Sequence, residues 1–252
     1  QVHPTPEDSL SSGGSIPFKH EAWHVIAAAE GACIYRGLQA GVDIERLRRA
    51  IDAGEVESVL QRVPVKPGQA FYLPAGTIHA LGAGVLVAEV QTPGDVTYRL
   101  HDWNRVDPLT GRPRELHVDE ALRCVRLDLD VANAEARSHV ASVWTAVTRL
   151  ITCESFIIER VRMVDGVEQD IPYDEMVTWM VLSGRGEASC RWGANRVTIP
   201  FSRGDTMLLP AGMKEARVRT EDDCAWLEIT VPIRSDLAEF ARPDRESLRE
   251  TG

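Results

Sequence analysis

The chain has 252 residues, 44% hydrophobic and 26% charged, and is long enough to bury one large core or two modest ones. Acidic residues outnumber basic ones by 38 to 28, for a formal net charge of −10. This balance argues against nucleic acid as the main partner, because neutralising phosphates requires a basic face. No apolar run approaches the roughly 18 residues of a membrane-spanning helix, and the chain does not open like a signal peptide.

The five cysteines are scattered, odd in number and free of CxxC spacing. A disulfide framework would require pairing, so they predict a reducing, cytoplasmic setting in which most are small buried hydrophobes.

The first three residues predict a pair of ligands on one face. On an extended strand Gln1 and His3 point to the same side and Val2 to the other, which offers two neighbouring ligand atoms to one ion. The alternative is a frayed terminus with accidental residues. The Ser- and Gly-rich stretch at 10–15 predicts a loop.

The next segment, 17–28, alternates in the manner of a strand. Lys19 and Glu21 share one face, which predicts a cation and an anion lining one pocket; a solvated edge-strand carboxylate is the alternative. His20 and His24 fall at opposite or flanking positions and are predicted not to be ligands.

Residues 42–63 change to a helical period, which predicts a helical insertion between strands. Asp43 is a plausible N-cap and Gly54 a break between two short helices. The arginines of this insertion are predicted to form its solvated face.

The segment 67–84 reads PGQAFYLPAGTIHALGAG and predicts two short strands around a turn at Pro74–Ala75–Gly76. His79 follows that corner, where a turn can aim a side chain into the mouth of a barrel. A hairpin whose histidine faces water is the alternative. Residues 85–90 then predict a buried strand.

After a turn at 93–95, the chain returns through residues 96–100. Arg99 faces the side that Thr97 and His101 share, and an arginine inside a barrel is costly without an anionic partner. This predicts an anion-binding role, because the guanidinium fork suits phosphate or carboxylate. A salt-bridged surface arginine is equally compatible with the periodicity. A short helix is predicted at 117–125.

The second half predicts another β-rich domain. Six segments between 156 and 232 read as strands with short turns, and 203–216 repeats the earlier pattern with Gly204, Pro210-x-Gly212 and Glu215 where the histidine stood. The repeat predicts a second barrel, which we expect to bind no metal. The predicted limits are 1–125 for the first domain, 126–150 for a connector, 151–234 for the second domain and 235–252 for a peripheral tail.

The spacing Pro-Gly, five residues, Pro-x-Gly, two residues, His resembles the second sequence motif of the cupin superfamily. The segments QVHP, FKHEAWHV, RVPVKPGQAFYLPAGTIHALGAG, EVQTPGDVTYRLHDWNR and RELH, in this order, resemble the type I mannose-6-phosphate isomerases, most closely their short bacterial form. The resemblance implies an all-β fold of two cupin barrels (double-stranded β-helix, or jelly roll) with a short helical insertion in the first, the second barrel being degenerate.

The same resemblance implies a site. Its metal ligands match Gln1, His3, Glu21 and His79, a set suited to one Zn²⁺ per chain with a position left open. Its active-site residues match a further three positions: Arg99, Lys19 and Glu89.

The chain departs from the family pattern in two places. Family members carry a segment ahead of QxHP that is absent here, so we expect the first barrel to lack its opening strands. The family's HPDD is His3-Pro4-Thr5-Pro6 in this chain, which alters the loop behind the ligand histidine.

The implied activity is the zinc-dependent interconversion of mannose 6-phosphate and fructose 6-phosphate, with Glu89 a candidate base if it lies within reach of the carbon acid. The expected partner is a small sugar phosphate, with neither nucleic acid nor membrane. A non-catalytic sugar-phosphate-binding bicupin is the alternative. A cupin oxygenase is disfavoured, because those enzymes generally use three histidines with a carboxylate, and Gln1 replaces the first histidine.

Overall fold

The computed structural model describes residues 1–127 and 137–232, and the predicted tail at 235–252 lies outside them. The chain separates into two compact units, Gln1–Asn133 and Ala134–Gly252. No helix of the described residues is long and apolar enough to cross a membrane. No disulfide joins the five cysteines, all of which lie in the described residues; three of them are buried and two half-buried.

The first unit contains short helices and two small sheets. Its helices are α1 (Pro6–Ser11), α2 (Ile44–Asp52) and α3 (Val118–Cys124), with a 3-10 turn at Val56–Val59. Its strands are β1 (Glu21–Ala28), β2 (Cys33–Leu38), β3 (Leu60–Pro64), β4 (Ala70–Leu73), β5 (His79–Leu81) and β6 (Val85–Gln91). The sheets are antiparallel three-stranded arrangements with the orders β4-β1-β6 and β3-β2-β5.

The two strands of the 67–84 segment belong to different sheets. β4 pairs with β1, whereas β5 pairs with β2, so the alternative of a simple hairpin is wrong. The corner between them carries the chain from one sheet to the other. Gly76 at this corner has φ +84°, and a Cβ there would lie 2.4 Å from Arg126 Cγ and 2.9 Å from the carbonyl oxygen of Cys124. Only glycine fits the backbone and the space.

The predicted helical insertion is confirmed. The Asp43 side chain accepts a hydrogen bond from the amide of Arg46 and caps α2. Leu47 and Ala50 are buried on one stripe of the helix, in a core cluster that also contains Val56 of the 3-10 turn. The helix predicted at 117–125 is present as α3.

The loop predicted at 10–15 is wrong at its start, because α1 extends to Ser11. The signal for this helix is the sequence Thr5-Pro6-x-Asp8: Thr5 and Asp8 form a reciprocal capping box, and Pro6 occupies the first turn. The strand predicted to be buried at 85–90 is also different, since β6 is half-exposed and Leu86 faces solvent.

The second unit is built almost wholly of strands. They are β7 (Arg137–Ser142), β8 (Thr145–Thr152), β9 (Ile157–Met163), β10 (Glu168–Asp170), β11 (Val177–Ser183), β12 (Arg185–Trp192), β13 (Asn195–Ser202), β14 (Thr206–Leu209), β15 (Lys214–Thr220) and β16 (Cys224–Thr230). They form a six-stranded sheet, β14-β11-β16-β9-β8-β7, and a four-stranded sheet, β10-β15-β12-β13. A core of aromatic and aliphatic side chains, among them Trp179, Phe201 and Trp226, fills this unit.

The segment predicted as a connector, 126–150, contains strands in the part that the structure describes from residue 137 onward. β7 and most of β8 lie within it and extend the six-stranded sheet. The mixed charge of these strands hides their period, because β8 alternates buried and exposed positions only over part of its length.

Candidate metal centre

Three side chains from separate parts of the first unit converge on one point. His3 Nε2 lies 3.0 Å from Glu21 Oε1, and His79 Nε2 lies 3.1 Å from Glu21 Oε2. One ligand atom from each of the three residues falls within 4.8 Å of the others. All three side chains are buried, each with 2% or less of its surface exposed.

The backbone explains this convergence. Glu21 begins β1 and His79 begins β5, so each stands at the end of a strand in a different sheet. The extended segment before Thr5 bridges them. The amide of His79 donates to the carbonyl oxygen of Gln1, and the amide of Gly76 donates to that of His3. Val2 pairs with Tyr98 and is fully buried, which turns His3 to the opposite side as predicted.

Hydrogen bonds orient both imidazoles. Nδ1 of His3 lies 2.9 Å from the carbonyl oxygen of Val96, and Nδ1 of His79 lies 2.9 Å from that of Thr77. A carbonyl only accepts, so each neutral ring carries its proton on Nδ1 and turns the lone pair of Nε2 toward Glu21. Such carbonyl contacts typify histidines that bind metal.

The three residues therefore fit a cation. With both rings neutral, lone pairs of nitrogen and carboxylate oxygen face one another at about 3 Å. His3 Nε2 and Glu21 Oε2 are then buried hydrogen-bond acceptors. Neither atom accepts a hydrogen bond from the other or from His79. Acceptors that face each other in a buried site are unfavourable unless a positive charge lies between them.

Burial lowers the pKa of His79 despite the opposing effect of its contact with Glu21. This direction favours the neutral imidazole, the form that binds metal.

Gln1, the fourth residue of the predicted ligand set, lies beside the other three. Its amide nitrogen is 2.9 Å from His79 Nε2. A rotation of the amide by half a turn exchanges its nitrogen and oxygen and would present the oxygen instead.

Lys19 lies beneath the group and not in the open cavity. Its side chain is buried, and its Nζ lies 2.7 Å from Glu21 Oε1. The predicted cation and anion are therefore together on one face, and this contact favours a role for Lys19 in holding Glu21.

A cavity of about 180 Å³ opens next to the three residues and is partly lined by Gln1 and His79. Two predicted active-site residues, Glu89 and Arg99, line it as well. His101 lines it with Arg99, as the alternation of residues 96–100 predicts. A cavity of this size beside a buried polar group suits a small polar ligand.

Glu89 is oriented by a residue that the sequence did not single out. Trp23 stands opposite Glu89 in the pairing of β1 with β6, and its indole N–H donates to Glu89 Oε2 at 2.8 Å. The same indole ring packs edge-on against His79, with 5.3 Å between ring centroids. Trp23 is buried, so it links the carboxylate in the cavity to the imidazole beneath it. The position Glu21-x-Trp23 on a strand was the available signal, because it puts both side chains on one face.

Some of the other charged side chains that line the cavity form ion pairs with a carboxylate or an arginine among the described residues, and others do not. Arg114 forms a bidentate contact with Asp102, and this contact lowers the pKa of Asp102. Arg99 contacts only the carbonyl oxygen of Glu115, at 3.5 Å, and neither Arg99 nor Arg105 has a carboxylate partner within the parts of the chain that the structure describes. The cavity thus presents two cations that a bound anion can engage.

The second copy of the corner has different chemistry. Glu215 stands where His79 stands in the first copy, but it is exposed and lies 3.2 Å from Arg191 Nε. It has φ +51°, so the backbone after this corner also differs.

Comparison with known proteins identifies the family. No family model matches the chain. The mannose-6-phosphate isomerase ManA of Bacillus subtilis is 33% identical over 227 residues, which cover 89% of this chain and 69% of the relative. The mannose-6-phosphate isomerase of Streptococcus mutans is 33% identical over 226 residues, covering 85% and 65%.

A crystal structure of the mannose 6-phosphate isomerase from Bacillus subtilis superposes with a TM-score of 0.79 at 28% identity, covering 91% of this chain and 70% of that one. With the strands described above, this similarity confirms the predicted all-β cupin fold class. The chain spans roughly two thirds of the length of these relatives. The sequence identity over most of its own length shows that the chain belongs to the mannose-6-phosphate isomerase family.

Proposed function

We propose that this chain interconverts mannose 6-phosphate and fructose 6-phosphate in the cavity beside His3, Glu21 and His79. One observation carries the proposal: these three side chains are buried and lie together beside the cavity. Two arginines without a carboxylate partner among the described residues, Arg99 and Arg105, line the same cavity. Family membership supports the same substrate.

His3, Glu21 and His79, with the amide oxygen of Gln1, would hold one divalent ion, for which zinc is the proposed metal. Two imidazole nitrogens with oxygen ligands form a donor set that suits zinc. When bound, the ion polarises sugar oxygens and stabilises developing negative charge. Lys19 balances the charge of Glu21 and keeps its carboxylate in place.

The reaction moves two protons on the open-chain sugar and consumes no further reagent. The proton on carbon 2 of the aldose moves to carbon 1, and the proton of the hydroxyl on carbon 2 moves to the oxygen on carbon 1. Glu89 is the proposed base for the carbon-bound proton, because its carboxylate lines the cavity and is oriented by Trp23.

The positive charges of the cavity serve the anionic parts of the substrate. Arg99, next to the metal group, would stabilise the enediol-type intermediate, and Arg105 at the same cavity would meet the phosphate. Arg114 forms an ion pair with Asp102, so we assign it no contact with the intermediate or with the phosphate.

The test measures metal content and turnover together. Purified protein, treated with a chelator and then reloaded with zinc, is expected to lose and regain the conversion of mannose 6-phosphate to fructose 6-phosphate in a coupled assay. His79→Ala is expected to lose both metal and turnover, and zinc should not restore it. Tight binding of the sugar phosphate without any conversion by the reloaded protein would reject the isomerase and favour the non-catalytic alternative.

A further inference from the structure

The helical insertion reaches the rim of the cavity through a single carboxylate. Glu57, on the 3-10 turn Val56–Val59, accepts a hydrogen bond from the Tyr35 hydroxyl at 2.8 Å and a second from the indole N–H of Trp103. Each oxygen of the carboxylate takes one donor. Trp103 belongs to the loop that follows Leu100, so Glu57 joins the insertion to that loop.

Trp103 is the centre of an aromatic group at this rim. Its ring lies 6.0 Å from that of Tyr35 and 5.2 Å, edge-on, from that of His101. The guanidinium carbon of Arg105 lies 5.4 Å from the centre of the Trp103 ring, within range of a cation–π interaction. The position of Arg105 therefore follows the position of the indole.

The backbone at this point does not hold its conformation unaided. Trp103 has φ +50° and Asn104 has φ +54°, the left-handed region that residues other than glycine rarely adopt. Two such residues in succession persist only where surrounding contacts fix them. The hydrogen bond to Glu57 is the contact that ties the Trp103 side chain to a helical element.

Trp103 and Glu57, the two partners of this hydrogen bond, differ in their access to the cavity. Trp103 and Arg105 line the cavity of about 180 Å³, whereas Glu57 is not among its lining residues. Hydrogen bonds from Trp103 and Tyr35 lower the pKa of Glu57, so that the carboxylate stays ionised and is the stronger acceptor. Glu57 is in hydrogen-bond contact with the cavity lining through Trp103.

We propose that Glu57 is a positioning residue for substrate affinity: it fixes the indole of Trp103, which in turn holds Arg105 at the cavity mouth to receive the phosphoryl group of the sugar phosphate. This inference rests on the proposed function. It gives the helical insertion a task that its charge pattern alone does not reveal.

The test compares Glu57→Gln and Trp103→Phe with Glu45→Gln as a matched control on the same insertion. Glutamine keeps the shape of Glu57 but has one acceptor oxygen for two donors, and phenylalanine keeps a ring without the N–H. Glu45 is exposed, and its ion pair with Arg49 of the same helix is long, at 3.8 Å. The measurements are KM and kcat for mannose 6-phosphate, calorimetric binding of inorganic phosphate, zinc content and thermal midpoint.

Glu57→Gln and Trp103→Phe are expected to raise KM and to weaken phosphate binding about 5- to 10-fold, the usual effect of losing one hydrogen bond. We expect kcat to change by less than about twofold, because the metal group is untouched. Zinc content stays at the wild-type level. Glu45→Gln matches wild type throughout.

Three outcomes overturn the inference or the function beneath it. Wild-type KM and phosphate binding in Glu57→Gln, with an active wild type, would reject the inference and leave the proposed function standing. A joint loss of kcat, zinc and thermal stability would assign Glu57 a general structural role. Weakened phosphate binding in a protein that converts no sugar phosphate would reject the proposed function while supporting the positioning of Arg105.

Discussion

The two units repeat one pairing scheme, but among the described residues a group that could bind an ion is found in the first copy alone. In the first unit Glu21 pairs with Leu73 of β4 and with Gln91 of β6. In the second unit Val177 pairs in the same way with Leu209 of β14 and with Thr230 of β16. The second copy therefore keeps the strand positions and replaces the carboxylate with a fully buried valine.

The corners follow the same scheme. Strands β4 and β5 lie in different sheets, and so do β14 and β15. His79 follows the first corner and turns inward, whereas Glu215 follows the second and turns to solvent. The scaffold is thus independent of the ligands, because main-chain pairing and apolar packing build it in both units.

A tryptophan–glutamate pair is present in both copies. Trp23 stands opposite Glu89, and Trp179 stands opposite Glu228 at the corresponding place in the register. Glu89 opens into the cavity, whereas Glu228 is buried, and burial raises its pKa. Tyr173 donates a hydrogen bond to Glu228. The same tryptophan–glutamate pair therefore lies at an open cavity in the first unit and in a closed core in the second.

The largest effect is expected from making the first copy resemble the second. Glu21→Val puts the residue of position 177 at position 21 and removes the only carboxylate of the three-residue metal group. We expect metal content to fall to background and turnover to fall by at least about 100-fold, because two imidazoles alone bind a divalent ion weakly. Elemental analysis and the coupled assay measure both.

Glu215→Gln is the control for that experiment. Glu215 is exposed and paired with Arg191, so metal content and turnover should match wild type. A Glu21→Val protein that keeps its metal would refute the assignment of the site to the first copy.

An intermediate effect is expected from the shared tryptophan. Trp23→Phe keeps an aromatic ring against His79 but removes the N–H that orients Glu89. We expect kcat to fall about tenfold with zinc retained, which corresponds to the loss of one hydrogen bond. Steady-state kinetics on the zinc-loaded protein measures this.

Trp179→Phe tests the same change in the second unit. It should leave kcat unchanged and lower the free energy of unfolding by about 1–2 kcal/mol, because Trp179 is a core residue there. Equal kcat losses in the two variants would show that the tryptophan acts through stability and not through Glu89.

The smallest effect on activity is expected at the two corner glycines, whose substitution acts on stability. Both have positive φ, +84° for Gly76 and +76° for Gly212, but of the two only Gly76 would bring an added Cβ within 4 Å of other atoms. Alanine is therefore expected to cost about 1 kcal/mol of unfolding free energy at Gly212 and at least about 2 kcal/mol at Gly76.

Chemical denaturation of both alanine variants measures the difference. Equal costs would show that Arg126 and Cys124 yield to the added methyl group, and that the first corner is no more constrained than the second.

Several parts of the fold were predictable because their causes are local. A capping aspartate and a helical stripe predict α2, and a repeated Gly and Pro pattern predicts both corners. The helix α1 escapes prediction because its capping box lies next to a loop-like composition. The strands of 137–152 escape it because they are held by pairing with neighbouring strands, which a local period does not reveal.

The candidate site divides in the same way. The resemblance implies the ligand set from residue types and their spacing in the sequence, at Gln1, His3, Glu21 and His79. Their proximity and the contact of Trp103 with Glu57 depend on elements that are distant along the chain. No short sequence window contains both partners of the long-range contacts.

By itself, the sequence determined which residues point to one side of each strand and where the chain turns, since local backbone geometry sets both. The tertiary structure decided which of those side chains meet. It did so because packing between sheets, and not spacing along the chain, sets the distances from Glu21 to His3 and His79 and from Glu57 to Trp103.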